Sequence, residues 1–264
     1  MRFKRRRKKK DRRRFRGVYL LPNLITTASL FAGFLAIVLA IEGKFLYAAW
    51  AIFASLILDG LDGRVARMTN STSSFGVQYD SLADLVAFGV APALLVYLWG
   101  LKPFGRFGWV AAFLFVVCGA LRLARFNVQT GTMDPRYFNG LPIPAAAMVV
   151  ATAIGFYYEI GEWAPRYNIY ILVMMYLLSF LMVSNIKFFS LKKWDLMRRK
   201  PFQTLVTVVL IFVVIALAPQ LTGFPFMLAY VLSGVISSVI YYRQHRPAPE
   251  KTEEEIPAPK PSNP

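Results

Sequence analysis

Four aspartates crowd residues 59 to 84, DGLDGRVARMTNSTSSFGVQYDSLAD. They are Asp59, Asp62, Asp80 and Asp84, and they lie between two uncharged apolar runs, Phe45 to Leu58 and Leu85 to Leu101. Residues three or four apart share a face of a helix. Asp59 and Asp62 therefore form one pair and Asp80 and Asp84 another, and folding the chain between them can bring both pairs to one place. Four carboxylates so gathered repel one another. A divalent cation removes that repulsion, and an all-oxygen ligand set suits a hard ion such as Mg²⁺, Mn²⁺ or Ca²⁺. Gly60 and Gly63 flank the first pair and let a ligand or a neighbouring helix approach the backbone. The plainer use of these acids is pairing with Arg64 and Arg67 at a membrane surface. Ionisable residues within membrane segments are, however, functional by default.

The elements that must carry these residues are membrane helices. The chain has 264 residues, of which 56% are hydrophobic, and its mean hydropathy is +0.47. Soluble domains average about 45–50% apolar, and here the excess is gathered into long runs, as in an integral membrane protein. The pattern predicts an all-α polytopic bundle of eight spans near 18–41, 45–68, 76–100, 106–127, 142–161, 167–188, 202–218 and 223–243, with Pro219 and Gly223 marking a turn between the last two. The single cysteine, Cys118, excludes an intrachain disulfide. The single histidine, His245, lies beyond the last apolar run, which argues against a histidine metal site or a Ser-His relay.

The net charge of +17 is not carried by a folded soluble domain. Twelve basic residues fall in residues 2 to 16 alone, and the others flank the apolar runs. This is the footprint of membrane topology and anionic lipid rather than of nucleic-acid readout. With the amino terminus in the cytosol and eight crossings, 27 of the 31 Lys and Arg lie on the cytosolic side, so both termini are expected there, together with the four aspartates. The arm of residues 1–17 and the Pro- and Glu-rich tail of 245–264 read as disordered extensions.

Other polar residues fall near the same level. Pro22 suits the first turn of the first helix. Asn23 and Thr26 follow it three residues apart, with local capping as the alternative to a role in the site. The fourth helix ends CGALRLARFN, where Arg122 and Arg125 share a face near Asn127. Two guanidiniums beside a metal site suit a bound anion or carboxylate; snorkelling to lipid phosphates is the alternative.

The first stretch also fills, without departure, the pattern D-G-x2-D-G-x2-A-R-x8-G-x3-D-x3-D, using Asp59, Gly60, Asp62, Gly63, Ala66, Arg67, Gly76, Asp80 and Asp84. The chain thereby resembles the CDP-alcohol phosphotransferases. The segments ALRLARFN, FNGLPIPAAA and LMVSNIKFFSLK are similar to the phosphatidylserine synthase branch of that family, and the resemblance covers residues 20 to 192. It implies a six-helix catalytic core in a membrane domain of residues 18–200, and the two further helices that the apolar pattern puts in 201–244 lie outside it. It also implies transfer of a phosphatidyl group from CDP-diacylglycerol to L-serine with release of CMP.

On that resemblance Asp59, Asp62 and Asp80 ligate the metal, with Asp84 completing a second site or serving as the base that takes the serine proton. The metal is Mg²⁺ or Mn²⁺, with Ca²⁺ in a structural role. Asn23, Thr26, Gly60, Gly63, Ala66, Arg67 and Gly76 line the CDP and phosphate pocket, while Arg122, Arg125 and Asn127 face the acceptor. The family also implies a homodimer among membrane lipids, with no nucleic-acid partner. Glycerol 3-phosphate, inositol phosphate and choline are the competing acceptors. A cation transporter is the reading from another class, although the acids cluster at one end instead of being distributed across the bilayer.

Overall fold

A computed structural model describes residues 20–69, 73–129, 137–161, 169–189, 206 and 217–244; for residues 137–139, 187–189 and 239–244 only the backbone is described. The helices are α1 (Leu20–Ile41), α2 (Phe45–Met68), α3 (Ser74–Phe104), α4 (Arg106–Gln129), α5 (Ile143–Glu159), α6 (Ile169–Val183) and α7 (Pro219–Gln244). Among the described residues, α1, α2, α3, α4 and α7 are long and apolar enough to cross a membrane, and α5 and α6 are shorter apolar helices. The all-α polytopic architecture is therefore observed. The span expected over 202–218, the basic arm and the tail lie almost entirely outside the described residues.

The bundle is locked where small or polar residues let helices approach. Ser29 of α1 and Ser55 of α2 are both buried, their hydroxyls are 2.8 Å apart, and each hydroxyl also reaches the other residue's carbonyl. Each buried polar group is thus satisfied across the helix pair. Gly33 of α1 lies against α3, where an added Cβ would stand 2.6 Å from Ala87 Cα. Ser73 caps α3, its hydroxyl accepting from the Gly76 amide at 3.0 Å; such a cap contributes about 1 kcal/mol. Directly after Asp84, α3 widens into a π turn over Leu85–Val90, and again over Tyr97–Leu101. An inserted residue of this kind shifts the facing of everything beyond it and is frequent at functional sites.

Three expectations are corrected. The sixth helix ends at Val183 and does not run to 188; residues Lys187–Phe189 form a short strand, β2, antiparallel to β1 (Tyr137–Asn139). Gly140 ends this ribbon with φ +79°, and a side chain there would meet the Met182 carbonyl. Gly140 and Leu141 instead donate their amides to the carbonyls of Ile186 and Leu181 at 2.9 and 3.0 Å. Backbone bonding that a helix would have supplied internally is here made between distant segments. Second, α3 extends to 74–104 where 76–100 was expected. Third, Pro219 and Gly223 do not form a turn: Pro219 opens α7, where its missing N–H costs nothing, and Gly223 and Pro225 lie within the helix. Gly223 packs closely on α5, a Cβ there standing 3.1 Å from Thr152 Cγ2. α7 lies against α5 and β2.

Candidate active site

The site forms where the end of α2 meets the start of α3. Asp59 and Asp62 project from the last turns of α2, and Asp80 and Asp84 from one face of α3. Asp59, Asp62 and Asp80 each offer a carboxylate oxygen, and these atoms lie within 4.8 Å of one another. Asp84 stands beside this set, within hydrogen-bond reach of Asp59. Asp62 is 4% exposed. Asp80 Oδ1 is buried with no hydrogen-bond partner among the described residues. A buried carboxylate oxygen without a donor carries its full desolvation cost. Three carboxylates converging on one point, one of them with an unpartnered buried oxygen, fit a hard divalent cation, which takes oxygen ligands only. The four acids expected to converge do so.

Thr26 holds one of the ligands. Its hydroxyl, 5% exposed, donates to Asp62 Oδ2 at 2.7 Å, with the Pro22 carbonyl 3.1 Å away as an alternative acceptor. Donors of this kind fix the orientation of a metal-binding carboxylate. Asn23, one turn earlier, stands next to Gly76: a Cβ on Gly76 would lie 3.4 Å from Asn23 Oδ1 and 3.2 Å from Ser73 Oγ. Gly76 therefore makes room where α1 meets the start of α3. Gly60 and Gly63 differ from it. A Cβ on Gly60 would have nothing within 4 Å, and one on Gly63 only the Arg67 Nη1 at 3.6 Å. Open space thus borders the first aspartate pair. Ala66 is half-buried and Arg67 exposed on the same helix end.

The three residues expected at the acceptor divide. Arg122 is 9% exposed, lies in electrostatic range of Asp84, and has its Nε unpartnered among the described residues. Arg125 turns to the end of α6, donating to Asn185 Oδ1 at 2.6 Å and to the Val183 carbonyl at 3.4 Å. Asn127 donates to Ser81 Oγ at 2.9 Å and so ties α4 to α3. Of the three, Arg122 is the one that is buried and in electrostatic range of a site carboxylate, Asp84. Ser81, Asn185 and Tyr79, whose hydroxyl is 2.8 Å from that of Thr27, were not singled out by sequence. Their partners lie 46 or more residues away, and no spacing rule reaches that far.

The comparisons with known proteins follow the same lines. A family model described as CDP-alcohol phosphatidyltransferase matches residues 19–171. A Helicobacter pylori CDP-diacylglycerol--serine O-phosphatidyltransferase is 45% identical over 226 residues, 83% of this chain and 91% of the relative. The Mycobacterium tuberculosis protein of the same name is 44% identical over 154 residues, 56% of this chain and 54% of the relative. The archaetidylserine synthase of Methanothermobacter thermautotrophicus is 37% identical over 172 residues, 64% of this chain and 69% of the relative.

Proposed function

The chain belongs to the CDP-alcohol phosphatidyltransferase family, and from that premise we infer that it is an integral membrane enzyme transferring the phosphatidyl group of CDP-diacylglycerol to the hydroxyl of L-serine. The observation that carries this reading is the meeting of three carboxylates inside a fully matched signature, with the buried Arg122 in electrostatic range of Asp84 beside them. Asp59, Asp62 and Asp80 would hold a divalent cation, Mg²⁺ or Mn²⁺. Bound there, the ion would neutralise charge on the diphosphate and on the departing CMP.

The remaining work falls to the side chains. Asp84 stands beside the three ligands and not among them, which frees it to act as base. It accepts the serine hydroxyl proton as the serine oxygen bonds to the phosphorus that bears the diacylglycerol. The bond from that phosphorus to the bridging oxygen breaks, and the electron pair leaves with CMP. Thr26 keeps Asp62 in register. The open flank at Gly60 and Gly63 admits the cytidine diphosphate, with Ala66, Asn23 and Gly76 shaping the pocket and Arg67 gripping the phosphates. Arg122 receives the serine carboxylate; Arg125 and Asn127 support it by fixing the ends of α4, α6 and α3.

Acyl chains remain in the bilayer while the head group enters a polar cavity, the one setting where charged groups are tolerable at this depth. On the charge bias both termini face the cytosol, and serine and CMP pass through the cytosolic opening. The reading takes 18–200 as the catalytic membrane domain, 201–244 as an addition to it, and two copies as the working unit. The test is to supply purified protein with CDP-diacylglycerol, Mn²⁺ or Mg²⁺, and labelled serine, glycerol 3-phosphate, inositol phosphate or choline in parallel. CMP release and labelled aminophospholipid with serine alone are expected. Product with another acceptor and none with serine would reassign the substrate.

A further inference from the structure

The last helix lies beyond residues 19–171, which the family model covers, yet its Tyr230 comes into electrostatic range of Arg122. Gly223, Met227, Tyr230, Val231, Gly234 and Ser238 recur at steps of three and four along α7, and all are buried or half-buried. This is the stripe that a helix turns toward its neighbours. Together with α2 and α5 it walls an apolar groove of about 550 Å³, which Tyr230 lines beside Pro142. Tyr230 also packs against the buried core, and its phenol is in electrostatic range of the Arg122 guanidinium. Tyr230 therefore stands where the apolar groove meets the polar site.

Arg122 needs such a neighbour. It carries five N–H donors and no acceptor, it is nine-tenths buried, and its Nε has no hydrogen-bond partner among the described residues. A buried guanidinium free to rotate would be a poor receptor for a small carboxylate, since affinity for so small a ligand depends on preorganised donors. A phenol oxygen accepts from a guanidinium N–H.

We propose that Tyr230 is a positioning residue for the acceptor: it holds the Arg122 guanidinium in the orientation that receives the serine carboxylate, so the last helix forms a wall of the acceptor pocket. The proposal rests on the reading of Arg122 as the acceptor's partner.

The test is steady-state CMP release by the purified full-length protein and its Y230F, R122K and Y230F/R122K variants, with serine and CDP-diacylglycerol varied separately. Y230F keeps the ring and removes only the hydroxyl. It is expected to raise the serine KM about ten- to a hundredfold, the size of one hydrogen bond to a charged group, and to leave the KM for CDP-diacylglycerol within about twofold. R122K raises the serine KM as well, and the double variant is no worse than R122K, because the hydroxyl acts through the guanidinium. KM does not depend on how much protein survives purification, so a less stable variant still reports. An unchanged serine KM in Y230F, or equal rises for both substrates, overturns the role of Tyr230 while R122K upholds the acceptor reading. An unchanged serine KM in R122K overturns the acceptor reading itself, and the role of Tyr230 with it.

Discussion

Thr26 donates to Asp62 at 2.7 Å, and valine at that position keeps the volume while removing the donor. T26V is expected to raise the Mn²⁺ concentration for half-maximal CMP release about 10- to 100-fold, the usual cost of losing a group that orients a metal ligand. A metal titration of the variant checks this. Asp84 gives a different signature, because it lies beside the three-carboxylate set. D84N is expected to lower kcat at least about 100-fold, the contribution of a positioned base, while Mn²⁺ still binds; parallel kinetics and binding measurements separate the two effects. At this scale much was legible. Steps of three and four put the carboxylates on shared faces, and of the two polar residues that open α1, Thr26 bonds Asp62 while Asn23 stands beside Gly76. The partners of Arg125 and Asn127 were not legible, since identical spacing serves a residue that faces a substrate and one that ties two helices together.

At the level of elements, the close approach of α1 and α3 rests on Gly33. A methyl group there would stand 2.6 Å from a backbone atom, Ala87 Cα, which cannot rotate aside. G33A is expected to destabilise the bundle by about 1–3 kcal/mol through overpacking, seen as a lower midpoint in a thermal melt. G60A makes the contrast: its methyl group meets nothing within 4 Å, and alanine favours a helix over glycine by about 0.5–1 kcal/mol. Its melting midpoint should not fall, while its KM for CDP-diacylglycerol should rise because the open flank is narrowed. Helix positions were readable from apolar runs because a span must satisfy its own backbone. The ribbon was not, because β1 and β2 are three residues each and lie far apart in sequence. The π turns after Asp84 and at Tyr97 leave no mark in composition, since they change backbone pairing and not residue type. Pro219 and Gly223 resemble turn residues in sequence, yet a proline in the first turn and a glycine at a packing face are equally at home in a helix.

For the whole molecule, the charge bias predicts that a reporter fused after Arg246 and a tag at the amino terminus are both shielded from protease added outside intact cells. Digestion of either one from outside would reverse the topology and place the aspartates on the wrong side for cytosolic serine. The comparisons and the fold agree on a membrane-embedded transferase, and that claim depends most on a cation held by Asp59, Asp62 and Asp80. The direct measurement is Mn²⁺ binding to purified protein, followed by calorimetry or by the electron paramagnetic resonance of the free ion, for the wild type and for D62N and D80N. Saturable binding by the wild type, weakened at least about tenfold in each variant, is expected. Equal binding by all three proteins would show that these carboxylates do not hold the ion.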